Sequence, residues 1–421
     1  MTPSRRRRLG LLAVLLAIAV VYALRLGEAG WGSGPFPTYL YDEGYTAFHA
    51  GRMLARDPAI HTPNARRFEY LERGRDDLSP TSRAEWSHPP GAPLAVAATV
   101  AAFGFDAVGA RLAPLLAALA TLAAVGSLAR PRAAPFACVL LAADGVFFVF
   151  ARAALPYMFV TAAVAVGSAC LVRALVRRGR ARAAWLVGAG VALGFGVAVR
   201  WTALPVALAV LLAVAVSRAG RRRRVGLSLL GVLGVAGVTY ALTFVPLLVA
   251  GATPSELVAL HREMLWFHRH LPASSGQSTA WYTWATSLRS TLFRAVPRGD
   301  TAAIVVAAKN PLVWLAILPS LALAAWRARR GSVRELLAIA VVVSVYGPWV
   351  ILQRFSLSYY LLPLLPFVAL TVTSALARRR WILQGYVAAA IAAFALLYPA
   401  LSNLPVSRAT EATYLAVLVR R

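Results

Sequence analysis

A chain of 421 residues that is 59% hydrophobic and only 14% charged, with a mean hydropathy of +0.66, has too little polar surface for a water-soluble globule and reads as a polytopic membrane protein. Its formal charge of +28 is almost wholly arginine, since Lys309 is the single lysine. The arginines recur at membrane boundaries without aromatic interleaving or a basic domain, which excludes nucleic acid as the partner and leaves the lipid bilayer.

In chain order, apolar runs suited to spanning fall at residues 9–25, 108–129, 134–150, 157–174, 184–199, 202–217, 225–250, 310–326, 335–352, 358–377 and 382–400, eleven predicted spans. Basic clusters lie at Arg5 to Arg8, Arg130 with Arg132, Arg173 to Arg182, Arg218 to Arg224, Arg327 to Arg334 and Arg378 to Arg380. All fall on one side if residues 88–105 stay out of the bilayer. The segment SHPPGAPL, 87–94, followed by the short run AVAATVAAFGF, fits an interfacial helix. By the positive-inside rule the N-terminus is then expected in the cytoplasm, with loops 26–107 and 251–308 and the C-terminus outside the cell membrane. RRRRLGLLAVLLAIAVVYAL is followed by no small-x-small cleavage site and reads as a retained signal anchor.

Residues 1–421 read as a single integral domain with no soluble domain appended, no fixed-period repeat, no Walker loop and no dinucleotide fingerprint. Cys138 and Cys170 lie inside predicted spans, where cysteine behaves as a small apolar residue. No cofactor is expected, and no metal: His261, His268 and His270 are not completed by further cysteines or acids into a ligand set.

The acids are unevenly spread. Ten of the sixteen, from Glu28 to Asp106, lie in or beside the first external loop, and YLYDEGYTAFHAGR, 39–52, pairs Asp42 with Glu43. The predicted topology also leaves isolated cations at outer boundaries, Arg111, Arg152, Arg200 and Arg354. Such a set suits a phosphate head on a greasy tail, because guanidinium grips phosphate in a bidentate fork while the tail stays in lipid. The competing explanation for each arginine is snorkelling at a helix end.

Taken together the motifs resemble the protein O-mannosyltransferase family of the GT-C membrane glycosyltransferases. YDEGYTAFHAG resembles its first-loop Asp-Glu motif, EWSHPPGAPL, 85–94, its His-Pro-Pro motif, and AVGARLAPLLAAL, 107–119, the segment with a functional arginine, here Arg111. FVFARAALPYMF, 148–159, is similar to its Ser-Arg turn. GVALGFGVAVRWTALPV, 190–206, has Arg200-Trp201-Thr202 where members commonly have Lys-Trp-Thr. EMLWFHRHLPASSGQSTAWYTWATSLRS, 263–290, is similar to the family's large external loop, and RFSLSYYLLPLLPF, 354–367, to its late Tyr-rich span. The chain departs from the family where His-Pro-Tyr is replaced by Pro-Ala-Ser-Ser-Gly, and where a histidine gives way to Ser358 beside Tyr359. The extra luminal domain of eukaryotic members is lacking, as in a prokaryotic form.

The resemblance implies an all-α GT-C fold of about eleven transmembrane helices with interfacial helices in the first external loop. It implies an inverting enzyme that moves mannose, or another hexose, from a polyprenyl-phosphate carrier to a hydroxyl. The expected acceptor is Ser or Thr of a secreted or membrane protein; the alternatives are another sugar passed to a lipid or envelope glycan, or a non-enzymatic transporter or carrier flippase. Such transfer needs a base at the acceptor and stabilisation of the departing phosphate. Asp42 is the candidate base, although an Asp ahead of EGYTAFHAGRMLA also suits a helix N-cap. Glu43 either holds the acceptor and tunes Asp42 or is a first-turn acid favoured by the helix dipole. Arg111 and Arg200, then Arg354 and Arg152, are candidates for the donor phosphate or sugar. His88 either orients the first-loop acids or fixes a turn. Trp281, Tyr282 and Trp284 form either a substrate-stacking wall or an interfacial belt, and Trp201 and Tyr359 complete the supporting set.

Overall fold

The structure, a computed structural model, describes residues 3–27, 43–56, 86–217, 222–270, 279–329, 332–352 and 355–419. Its helices are α1 (Pro3–Ala23), α2 (Glu43–Leu54), α3 (Gly91–Phe103), α4 (Ala107–Leu128), α5 (Ala134–Ala142), α6 (Gly145–Phe150), α7 (Pro156–Leu175), α8 (Gly179–Val199), α9 (Ala203–Val216), α10 (Arg222–Leu242), α11 (Val245–Val249) and α12 (Pro254–His270). A hairpin of β1 (Thr291–Arg298) and β2 (Thr301–Ala307) leads to α13 (Pro311–Trp314), α14 (Ile317–Ala328), α15 (Val333–Ile351), α16 (Leu365–Leu376), α17 (Arg380–Leu401), β3 (Pro405–Ser407) and α18 (Arg408–Leu418).

The helical membrane class read from the sequence holds. Each of the eleven apolar runs is helical, and eight segments of the described residues are long and apolar enough to cross a membrane. The other three runs explain the difference in count. Residues 8–23 and 203–216 form shorter apolar helices, and the run at 134–150 is cut between α5 and α6. Asp144 makes that cut: fully buried, it caps α6 by accepting the Phe147 N–H at 2.9 Å. α3 is 13 residues long, about 20 Å at the α-helical rise and short of the roughly 30 Å hydrocarbon thickness. Its half-buried position against α2 and α4 fits the interfacial reading.

Two close approaches set the frame of the site. On α8, a Cβ at Gly194 would stand 2.4 Å from the Ala236 carbonyl oxygen and one at Gly190 2.6 Å from Val235, so a small-x-x-x-small face lets the α8 and α10 backbones touch. At the start of α3, a Cβ at Gly91 would lie 2.7 Å from the Ala198 carbonyl oxygen. That contact draws the His-Pro-Pro turn against the end of α8, where Arg200 follows.

The sequence reading contained no strand, whereas the second large loop forms a hairpin that the later strand β3 joins in a sheet of order β1-β2-β3, antiparallel throughout. Gly299, at φ 60°, turns the hairpin, Thr291 pairs with Ala307 at its far end, and the register shifts between Leu292 and Arg294. Residues 405–407 then pair with 301–303. The run TAAIVVA is rich in β-branched residues and too short for a span, so it satisfies its backbone by pairing instead.

A buried polar knot ties this sheet to the break after α5. Asp144 accepts from the Asn310 N–H at 3.1 Å and from Trp314 Nε1–H at 2.8 Å. Asn310 Nδ2 donates to the carbonyls of Ala143 and Ala390. Lys309 Nζ donates to the carbonyls of Trp284 and Ser287 and lies 4.7 Å from the Trp314 ring, and burial pushes its ammonium down to about 7. Asp144→Ala orphans three buried donors at once and is expected to cost about 3 kcal/mol or more, read as a lowered midpoint of thermal unfolding in detergent. An unchanged midpoint would refute this role.

Candidate active site

Glu43 opens α2 and is fully buried. Arg111, on the first turns of α4, grips it with Nε and Nη2 at 3.0 Å each, a bidentate fork. The Ala154 N–H donates to the same carboxylate at 3.0 Å, and Arg111 Nη1 donates to the Leu26 carbonyl at 3.0 Å. The pair therefore pins the first-loop helix to α4 and to the turn after α6. Asp42, the residue before this anchor, and Arg354 lie outside the described residues.

The predicted arginines separate in role. Arg111 is turned to Glu43. Arg152 donates to the Leu24 carbonyl at 2.6 Å and packs 4.8 Å from the Phe148 ring. Neither lines the two cavities around Arg200, so of the three described arginines in that set Arg200 alone reaches them.

Arg200 terminates α8 in an extended conformation, φ −153°. Only 8% exposed, its guanidinium lies 4.3 Å from the Tyr157 ring and 5.7 Å from that of Tyr360. These two rings stack at 4.9 Å and 16°, forming an aromatic ledge that fixes the cation. Among the described residues Arg200 has no ion-pair partner, and its Nε has no hydrogen-bond acceptor. A buried cation so placed favours an anion beside it.

Arg200 and His88 both line two adjoining cavities. The first, about 310 Å³, is walled by apolar groups of α7, α9 and α15, such as Val160, Val206 and Val345, with Trp201, Trp349, His268 and Arg269 also in its lining. The second, about 300 Å³, is lined by Tyr45, Thr46, His49, Trp86 and Ser87 from the first loop. His88 stacks on His268 at 5.0 Å, joining the His-Pro-Pro turn to the end of α12. Among the described residues the two linings hold arginine and histidine but no carboxylate. Among the described residues no group of three His, Cys, Asp or Glu is placed to hold a metal ion.

Of the expected aromatic wall, Trp284 is fully buried, with Nε1 donating to Thr279. The Trp281 carbonyl accepts from Tyr346, and Tyr282 is exposed. None of the three lines either cavity. Tyr359 packs with Phe150 and Phe293 in the core, while its neighbour Tyr360 reaches the cavity. Tyr157, Tyr360, Trp349 and Arg269, like His49 and Trp86 of the first loop, are lining residues that sequence reasoning missed. Each sits in a motif already singled out or beside a predicted span, but which side chain of such a motif faces inward depends on helix rotation.

This helical bundle, with its amphiphilic cleft beside a clamped arginine, has counterparts among known membrane proteins. The chain matches the S. cerevisiae protein O-mannosyltransferase Pmt1-Pmt2 complex bound to the sugar donor with a TM-score of 0.74 at 10% identity, over 98% of this chain and 93% of that one. It matches ArnT from Cupriavidus metallidurans bound to undecaprenyl phosphate with a TM-score of 0.59 at 20% identity, over 92% of this chain but only 64% of ArnT. Residues 87–249 match the family model for dolichyl-phosphate-mannose-protein mannosyltransferase. A polyprenol-phosphate-mannose–protein mannosyltransferase of Mycobacterium tuberculosis is 29% identical over 414 residues, 77% of this chain and 78% of the relative. The chain thus shares the fold of these two membrane proteins, and in sequence it is similar to protein mannosyltransferases.

Proposed function

We propose that this protein is an inverting glycosyltransferase that moves a mannosyl residue from a polyprenyl-phosphate carrier to a hydroxyl acceptor, Ser or Thr of a polypeptide, on the external face of the cell membrane. The observation that carries the reading is Arg200, a buried cation with no ion-pair partner among the described residues, set where an apolar cavity meets a first-loop cavity. The carrier phosphate sits on Arg200, with Arg269 nearby, and its isoprenoid tail runs along the apolar wall. The acceptor enters from the first-loop side, where α2 begins.

In this reading Asp42 takes the hydroxyl proton as the acceptor oxygen bonds to the anomeric carbon. The bond from that carbon to the phosphate oxygen breaks on the opposite side, and polyprenyl phosphate leaves with its charge held by guanidinium. One displacement inverts the anomeric centre. Glu43, committed to Arg111, holds the start of α2 in place.

The test is transfer by the full-length protein in liposomes, given radiolabelled polyprenyl-phosphate mannose and a Ser/Thr peptide. Label in the peptide is the expected result. Label in a lipid-extractable product would replace the polypeptide acceptor by a lipid or glycan, and carrier movement across the bilayer without transfer would replace the enzyme by a flippase.

A further inference from the structure

A directional hydrogen-bond chain runs behind the apolar cavity and involves residues that the transfer scheme does not use. His261 Nδ1 lies 2.7 Å from the Leu257 carbonyl oxygen, which only accepts, so Nδ1 carries the proton. With the proton on Nδ1, Nε2 accepts from the Tyr240 hydroxyl at 2.9 Å. The Tyr240 oxygen in turn accepts Trp201 Nε1–H at 3.1 Å. The chain links α12, α10 and the turn between α8 and α9, and every donor in it has one acceptor.

The end of the chain is Trp201, next in sequence to Arg200 and part of the same cavity wall. His261 backs the indole at 6.1 Å and 23°. An indole held beside a phosphate-binding cation is the group that a pyranose stacks on, its C–H face against the ring, and such a contact depends on ring orientation. We infer that Tyr240 and His261 are positioning residues that set the Trp201 indole as the platform for the donor's sugar. This rests on the reading that Arg200 holds the donor phosphate. It adds that sugar recognition, unlike recognition of the phosphate and tail, is controlled from α10 and α12.

The experiment compares two probes on the full-length protein in nanodiscs, polyprenyl-phosphate mannose and sugar-free polyprenyl phosphate. Tyr240→Phe removes the central link and is expected to weaken the mannosylated carrier about fivefold, a single net hydrogen bond, in Kd and in KM with kcat little changed. Binding of the sugar-free carrier stays at the wild-type level. In a Trp201→Phe background Tyr240→Phe has no further effect, because the group it orients is gone. His261→Gln, which keeps an acceptor near the Nε2 position, retains more affinity than His261→Leu. Equal weakening of both carriers, or additive losses in the double variant, would overturn the inference and make the chain a general prop for α12. Failure of the underlying phosphate reading shows separately, as unchanged binding of the sugar-free carrier by Arg200→Gln.

Discussion

Arg200→Gln is expected to lower kcat/KM for mannosyl transfer by about a hundredfold to a thousandfold and to weaken sugar-free polyprenyl phosphate as well. The magnitude follows from removing a charged donor from a water-poor site where phosphate charge develops. Arg200→Lys recovers only part of the loss, since an ammonium is a point charge that cannot reproduce the planar fork or lie in the same way on the Tyr157 and Tyr360 ledge. Folding survives, because the side chain makes no ion pair among the described residues. Steady-state kinetics with both substrates varied, beside a thermal-unfolding scan, tests this; transfer within threefold of wild type would remove Arg200 from the phosphate site.

The adjacent acids are expected to fail in opposite ways. Asp42→Asn keeps the shape but removes the base, so turnover drops by about a hundredfold or more while donor binding and the unfolding midpoint stay near wild type. Glu43→Gln cannot satisfy Arg111 as a carboxylate does. It leaves a guanidinium buried at 1% exposure without its counter-charge, which costs about 3 kcal/mol or more, a large part of an ordinary domain's stability. The measurement is paired: unfolding midpoint and single-turnover rate for each variant. Stable Glu43→Gln with dead chemistry, or unstable Asp42→Asn, would invert the assignment.

What could be read from sequence followed from local rules. Hydrophobic run length and the spacing of arginine clusters depend only on the thickness of a bilayer and the cost of burying charge, so the helical membrane class and the segments of the bundle were legible. Interruption of a run was not. The segment 134–150 reads as one span, but Asp144 finds Asn310 and Trp314 across the fold and breaks the helix there. The same partners, far apart in the chain, tie down a sheet whose β-branched strand had been passed over as loop.

The site divides along similar lines. Asp42-Glu43, Arg111, Arg200 and the His-Pro-Pro turn stand out as charges and punctuation in an apolar text. Their grouping required distances. Four arginines at predicted outer boundaries look equivalent in sequence, yet Glu43 takes Arg111, the Leu24 carbonyl takes one arm of Arg152, and Arg200 is left facing two cavities. Tyr360 rather than Tyr359 reaches the cavity, a one-residue difference decided by the rotation of a turn. By itself the sequence determined the membrane class, the family resemblance and the residue types from which a site is made, because these depend on composition and neighbours along the chain. Only the tertiary structure decided which cation is paired with a described carboxylate and which lines a cavity, because charge compensation depends on who is near in space.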